Sequence, residues 1–160
     1  MSVAFTKEDS AETAAETLLP DRPESPHPNL VTAAGWQGLQ DQLMAAQDAY
    51  AAAQAIEDVN ERRRASAPHL RDAQYYMKRL KSAELIEDPV SFDTVAFGSR
   101  VTFVRDDGRR QTFRIVGEDE AEPRNGTISY VSPVARALYG KSIGDVITLG
   151  DQELEITVIA

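Results

Sequence analysis

The sequence of 160 residues carries a formal net charge of −9 and contains no cysteine. Without cysteine there are no disulfides or thiolate metal sites, and the acidic balance argues against a free-standing DNA binder that works by neutralising phosphates. No apolar run approaches the roughly 18–20 residues that cross a bilayer, and the first residues lack the apolar core of a secretory signal. We therefore expect a cytoplasmic protein with one ordinary domain or two small ones and no membrane contact.

Residues 1–30 are predicted to be a disordered or extended tail. They hold two basic and six acidic residues, and four prolines fall within nine positions: Pro20, Pro23, Pro26 and Pro28. Proline cannot continue a helix, and a charged, proline-rich segment has little apolar surface to bury.

Residues 31–88 are predicted to form a helical hairpin. Apolar residues follow the 3-4-3-4-3 spacing of a coiled-coil seam at Trp36, Leu39, Leu43, Ala46, Tyr50 and Ala53. A second seam is predicted at Leu70, Ala73, Met77 and Leu80. Two such segments in a short span indicate an antiparallel pair of helices, with Thr32 as the N-cap of the first. The alternative is two amphipathic helices packed on the rest of the protein.

The position of the hairpin tip depends on Pro68. The midpoint of the hairpin falls near Asn60 and Glu61, but Pro68 lies deeper in the second arm. There it would either clash with the preceding turn of a continuous helix or begin a new helix. In the second case the tip would extend from Gln54 to Ala67.

The segment from 89 to 160 is predicted to be an α+β domain built on a twisted antiparallel sheet. A short helix is expected in residues 132–140, because Ser132 is a good N-cap, Pro133 suits the first helical position and Gly140 suits the end. Turn signals at Asp106-Asp107-Gly108, Asn125-Gly126 and Gly150-Asp151 separate the strands. The predicted strands are Val95–Val104, Gln111–Val116, Thr127–Val131, Val146–Leu149 and Glu153–Ile159.

The sequence contains no phosphate loop, nucleophile elbow or metal-ligand cluster. Neither His27 nor His69 has a second histidine at ligand spacing, so both are interpreted as structural or solvated residues. An ordinary enzymatic activity is therefore not expected.

Two charge patterns in the hairpin could carry a function. Arg64, Arg71 and Lys78 are seven residues apart and, with Arg62 and Arg63, predict a basic stripe on one helix. The stripe could contact nucleic acid or an acidic protein groove, or it could be a solvated helix face. Near the tip, Glu57, Asp58 and Glu61 could hold a divalent cation whose other ligands come from a partner, or could form local ion pairs.

The residues Arg100–Ile147 resemble the C-terminal domain of the GreA/GreB elongation factors. The most specific pieces are Phe113-Arg114-Ile115-Val116-Gly117, Ile128-Ser129, the run from Ser132 to Leu138, Gly140-Lys141 and Gly144-Asp145. The hairpin is similar to that family at its base, at Gly35-Trp36, Leu39 and Leu43 on one arm and at Tyr75, Lys78-Arg79-Leu80 and Leu85-Ile86 on the other. The opening residues Ala4 to Asp9 are closer to GreB.

The resemblance implies an FKBP-like C-terminal domain that docks on bacterial RNA polymerase at the rim of its secondary channel. The helical finger would enter the channel, its basic stripe would face nascent RNA, and its tip acids would help to hold the polymerase's own Mg²⁺. Such a protein is a monomeric accessory factor with no catalytic residues or cofactor of its own. The docking residues expected from the resemblance are Ser132, Pro133, Arg136, Leu138, Gly140 and Lys141.

The finger departs from the family pattern. It is shorter than that of GreB by about two heptads, roughly one in each arm, which removes about 10 Å of reach, and the family's Gly-Asp…Glu-Asn-Ala tip is missing. Asp58 and Glu61 keep only an Asp-x-x-Glu spacing. The first hypothesis is therefore a polymerase-docking regulator of elongation with weak or no stimulation of transcript cleavage. The alternatives are a cleavage-stimulating factor that uses the tip acids, and a module for another partner, such as nucleoside diphosphate kinase.

Overall fold

The computed structural model describes residues 19–160. These residues divide into two compact units, one containing residues 19–24 and 39–81 and the other containing residues 25–38 and 82–160. The helices are α1 (Ala33–Ala53), α2 (Val59–Ser82) and α3 (Pro133–Leu138), with a 3₁₀ turn at Pro123–Asn125. The strands are β1 (Leu30–Val31), β2 (Glu84–Leu85), β3 (Arg100–Arg105), β4 (Arg110–Val116), β5 (Thr127–Ser129), β6 (Val146–Leu149) and β7 (Gln152–Ile159). The predicted helical hairpin and the α+β class are confirmed.

The helix α1 begins where the sequence predicts. The Thr32 hydroxyl accepts a hydrogen bond from the Gly35 backbone N–H at 3.0 Å, and the Thr32 carbonyl accepts one from the Trp36 N–H at 2.9 Å. Thr32 is therefore the N-cap. Along the predicted seam of α1, every residue is buried or half-buried: Trp36, Leu39, Leu43, Ala46, Tyr50 and Ala53.

The hairpin tip is short, because α2 is continuous from Val59 and contains Pro68 in its interior. The predicted alternative with a long tip from Gln54 to Ala67 is therefore wrong. Asp58 initiates the helix, since its carboxylate accepts from the Glu61 N–H at 2.7 Å and its carbonyl from the Arg62 N–H at 2.9 Å. A capped start at Asp58 gives the helix about two and a half turns before Pro68, so the helix is already formed where the proline removes one hydrogen bond.

The buried line of α2 differs from the predicted seam. Ala73 and Leu80 point inward as expected, but Leu70 and Met77 are 43% and 54% exposed. The buried residues of α2 are Ser66, Ala73 and Arg79, and the half-buried His69 and Tyr76 lie one residue before Leu70 and Met77. One residue corresponds to about 100° around a helix, so this shift is enough to place Leu70 and Met77 in solvent. Small residues at 66 and 73 occupy the inward line instead.

The main sheet has the strand order β5-β4-β3-β7-β6. Its pairs are antiparallel except β4 with β5, which run parallel, so the prediction of an antiparallel sheet is corrected to a mixed one. The start of the first predicted strand, Val95–Val104, is also wrong, because β3 begins only at Arg100. Residues 95–99 instead form a turn, in which the Ser99 hydroxyl accepts from the Ala96 N–H and Gly98 has φ +86°. The core lies on one face of this sheet and includes Phe103, Ile115, Leu138, Leu154 and Ile156.

The short strands β1 and β2 pair in parallel, Leu30 with Glu84 and Val31 with Leu85. They directly precede α1 and follow α2, so they join the two chain segments that flank the hairpin. Among residues 19–160 no helix combines the length and the apolar character that a bilayer span requires.

The predicted tail is described only from residue 19 onward, and its first part lies outside the described residues. Residues 19–29 have no helix or strand but make specific contacts. The Ser25 hydroxyl donates to Glu118 Oε1 at 2.9 Å, and the Tyr130 hydroxyl donates to the Pro28 carbonyl. These contacts hold the described part of the segment through side chains.

Gly117 allows β1 to lie against the end of β4. A Cβ atom at Gly117 would be 2.3 Å from the Leu30 carbonyl oxygen, which is backbone and cannot swing away. Gly38, in contrast, is a helical residue of α1, and a Cβ added there would meet no atom within 4 Å among the described residues beyond its own stretch of helix. Substitution by alanine should therefore have opposite effects on the free energy of unfolding at the two glycines.

We expect Gly117→Ala to lower the free energy of unfolding by about 1–3 kcal/mol, because the added methyl forces the backbone apart. Gly38→Ala should raise it by about 0.5–1 kcal/mol, because alanine favours the helix. Chemical denaturation of both variants beside the parent chain measures the difference. A Gly117→Ala protein at least as stable as the parent would contradict the close approach.

Candidate docking surface and fingertip

The short helix α3 is defined by its own sequence. The Ser132 hydroxyl accepts from the Ala135 N–H at 3.3 Å, and Pro133 occupies the first helical position. Ser132 and Pro133, two of the six residues expected at the docking site, therefore have a structural role at the helix start. This role follows from the N-cap preference for serine and the fixed φ of proline.

Two more of the expected docking residues, Leu138 and Gly140, also have structural roles. Leu138 is 0% exposed and belongs to the core, so its side chain is not on a surface. Gly140 has φ +75°, a conformation that glycine adopts without strain, and its N–H donates to the Val95 carbonyl at 2.8 Å. The Val95 N–H in turn donates to the Lys141 carbonyl at 2.8 Å, so the backbone after α3 is fixed to residue 95.

Three side chains beside α3 remain on the surface. Arg136 and Lys141 are exposed, as the sequence predicts for docking residues, and Tyr139 is 61% exposed. Sequence reasoning missed Tyr139, because an aromatic residue at the end of a short amphipathic helix is as readily a core residue. The mixture of two cations and an exposed tyrosine is typical of residues that anchor protein interfaces.

A cavity of about 430 Å³ opens beside these residues. Phe97 and Tyr130 pack edge to face in it, with ring centroids 5.8 Å apart. Its walls are mainly apolar, and His27 and Arg136 supply its basic side chains. The full lining is His27, Leu30, Phe97, Tyr130, Val131, Arg136 and Tyr139. An apolar side chain of a partner would fit here, and an adjacent acidic group would pair with Arg136.

The fingertip acids do not converge. Glu57, Asp58 and Glu61 are all exposed, and one oxygen of Asp58 is occupied as the N-cap acceptor of α2. Among residues 19–160, no group of three or more histidine or acidic side chains is arranged to hold a metal ion. A cation at this tip would have to take most of its ligands from a partner.

The residues of the predicted basic stripe differ in their contacts. Arg63 and Arg64 are exposed, whereas Arg62 donates to the Ile56 carbonyl at 3.1 Å across the tip. Arg71 Nε lies 3.7 Å from Asp72 Oδ1. Lys78 Nζ lies 3.4 Å from Glu24 Oε1 and 3.8 Å from Asp21 Oδ2. The stripe thus presents exposed cations near the tip and paired cations farther along α2.

Comparison with known proteins identifies the family. A family model for the C-terminal domain of GreA/GreB transcription elongation factors matches residues 89–160. The elongation factor GreB of Neisseria meningitidis is 33% identical over 148 residues, which cover 80% of this chain and 91% of that protein. The chain belongs to the GreA/GreB family of transcription elongation factors.

Other relatives match parts of the chain. GreA of Alkalilimnicola ehrlichii is 42% identical over 89 residues, which cover 51% of this chain and 56% of that protein. A crystal structure of GreA factor homolog 1 (Gfh1) from Thermus thermophilus aligns with 84% of this chain and 99% of its own, at 22% identity and a TM-score of 0.40.

Proposed function

We propose that this GreA/GreB-family protein is a regulator of transcription elongation that binds RNA polymerase through its C-terminal domain. Its shortened finger enters the secondary channel and gives weak or no stimulation of transcript cleavage. The observation that carries the docking part is the surface beside α3, where Arg136, Tyr139 and Lys141 are exposed next to an apolar cavity. This surface lies within the residues that match the family model.

The proposed docking surface consists of Arg136, Tyr139 and Lys141 and not of all six residues that the sequence suggested. Ser132, Pro133 and Gly140 shape the backbone beneath it, and Leu138 holds α3 in the core. A partner segment with an apolar side chain flanked by a carboxylate satisfies both the cavity and Arg136. Arginine and tyrosine beside a desolvated pocket are the residues that most often dominate binding energy.

The length and chemistry of the finger support weak cleavage. Helix α1 has 21 residues and α2 has 24, so the arms are about 30–35 Å long at 1.5 Å per residue. The tip between them is only residues 54–58, and its central acid, Asp58, already caps α2. Mg²⁺ requires near-octahedral oxygen ligands at about 2.0–2.1 Å, so a shortened arm with a preoccupied carboxylate is poorly suited to complete its shell.

We expect Arg136→Glu to weaken binding to core RNA polymerase at least about tenfold, because the substitution reverses the charge at the rim of the cavity. Fluorescence anisotropy of the labelled protein with core polymerase measures the dissociation constant. Arg124→Glu is the matched control, since Arg124 is an exposed arginine on the 3₁₀ turn. Equal effects of the two substitutions, or no binding of the parent chain at micromolar concentration, would contradict docking through this surface.

The competing function is full cleavage stimulation through Asp58 and Glu61. The test is Asp58→Ser with Glu61→Gln, because serine keeps an N-cap oxygen while both carboxylates are lost. On stalled elongation complexes, we expect the parent chain and this variant to give cleavage rates close to that of polymerase alone. A strong acceleration by the parent chain that the variant loses would establish the tip acids as metal-holding residues and reject the proposed weak-cleavage role.

A further inference from the structure

Residues Asp21–Glu24, here called the strap, belong to no helix or strand and contact α2 through their side chains. The Arg22 guanidinium stacks on Tyr75, with its central carbon 3.8 Å from the ring centroid, and lies 5.2 Å from the centroid of Tyr76. Its Nη1 also donates to Asp72 Oδ1 at 3.3 Å. Cation–π stacking and an ion pair together fix one residue at the centre of the strap.

Arg22 is held as a cation. Burial alone would lower its pKa, but the hydrogen bonds and charge interactions with Tyr76 and Asp72 outweigh burial and raise the pKa above the ordinary value. Pro20 and Pro23 flank this residue and keep the backbone extended. Because Arg22 anchors the strap, loss of its contacts would allow the whole strap to dissociate from α2.

The acidic ends of the strap converge on one lysine of the basic stripe. Asp21 and Glu24 carry carboxylates 3.8 Å and 3.4 Å from Lys78 Nζ. Asp72, which binds Arg22, also lies 3.7 Å from Arg71 Nε. The strap therefore places two carboxylates beside Lys78, whereas Arg71 is paired with Asp72 of α2 itself and Arg63 and Arg64 stay exposed nearer the tip.

We propose that the strap is an autoinhibitory segment that competes with the phosphate backbone of single-stranded nucleic acid for the Lys78 end of the basic stripe. The choice of nucleic acid rests on the proposed function, in which the stripe faces nascent RNA. Exposed ion pairs contribute little and weaken with salt, so a dense polyanion can displace the strap. Displacement of the strap frees Lys78 from Asp21 and Glu24 and adds it to the exposed Arg63 and Arg64, which extends the binding surface along α2.

Arg22→Ala separates this mechanism from a simple charge effect. The substitution removes a positive charge, which by itself weakens binding to a polyanion, but it also removes the anchor of the strap. We expect affinity for a fluorescein-labelled single-stranded RNA of about twelve nucleotides, in low salt, to rise about twofold to fivefold. The matched control Arg124→Ala removes an exposed arginine elsewhere and should leave affinity unchanged or reduce it. A reduction by Arg22→Ala equal to that by Arg124→Ala would overturn the proposal.

A second set of variants tests the carboxylates against a control of equal net charge. Asp21→Asn with Glu24→Gln should tighten RNA binding about twofold to fivefold, and adding Lys78→Gln should abolish the gain. Glu122→Gln with Asp151→Asn makes the same charge change at exposed residues of the other unit and should have a smaller effect. Equal gains from the two pairs, or no RNA binding by any variant, would reject the strap as a competitor. Circular dichroism confirms that each variant keeps its helices.

The RNA assay contains no polymerase, so its outcome is separate from that of the proposed function. Absence of a strap effect in variants that still bind core polymerase rejects the strap alone. A strap effect on RNA in a protein that does not bind core polymerase rejects the proposed function alone.

Discussion

The close approach of β1 to the end of β4 is the constraint on which the arrangement around the start of α1 depends. A Cβ atom at Gly117 would lie only 2.3 Å from the Leu30 carbonyl oxygen, so no other residue fits there without a backbone shift. One residue farther along β1, Val31 pairs with Leu85 of β2, and Thr32 then caps α1. The Thr32 hydroxyl also donates to Glu120 Oε2 at 2.6 Å, while Gly35 leaves space for that carboxylate. Helix start, strand pairing and loop are therefore fixed by one set of short contacts.

The residues around α3 divide structural roles and surface exposure among a few positions. Ser132, Pro133, Leu138 and Gly140 determine the helix ends and the packing, and none of these roles needs a partner. Arg136 and Tyr139 are left to define the chemistry of the surface. A motif that looks like a single binding signature in the sequence is thus mainly a folding signature that positions two or three exposed side chains.

Local signals predicted local structure well. The caps Thr32 and Ser132, the turn at Gly108 and the seam of α1 follow from side-chain hydrogen bonding, glycine conformation and helical periodicity. Properties that depend on distant residues were not predictable. The buried face of α2 depends on what covers the helix, and its buried residues include Ser66 and Arg79, which an apolar pattern does not reveal. The parallel pairing of β5 depends on the path of the chain between β4 and β5, for which spacing gives no signal.

For the candidate site too, the sequence predicted some exposed residues but not the contacts that depend on tertiary structure. The exposed cations Arg136, Arg63 and Arg64 are recognisable from their residue type, because an unpaired arginine is rarely buried. The exposure of Tyr139, the burial of Leu138 and the pairing of Lys78 with Asp21 and Glu24 required tertiary structure. Asp58 had two compatible roles in the sequence, metal ligand and helix cap, and only the position of Val59 as the start of α2 shows that it is a cap.

Site-specific photocrosslinking can detect contact between RNA polymerase and the proposed docking surface beside α3. A photoreactive amino acid replaces Tyr139 in one protein and the exposed Asp151 in a second, and each is irradiated with core polymerase. If the surface docks on polymerase, position 139 should give a covalent adduct with one polymerase subunit in a yield well above that from position 151. Adduct yields at position 139 no higher than those at position 151 would contradict docking through this surface.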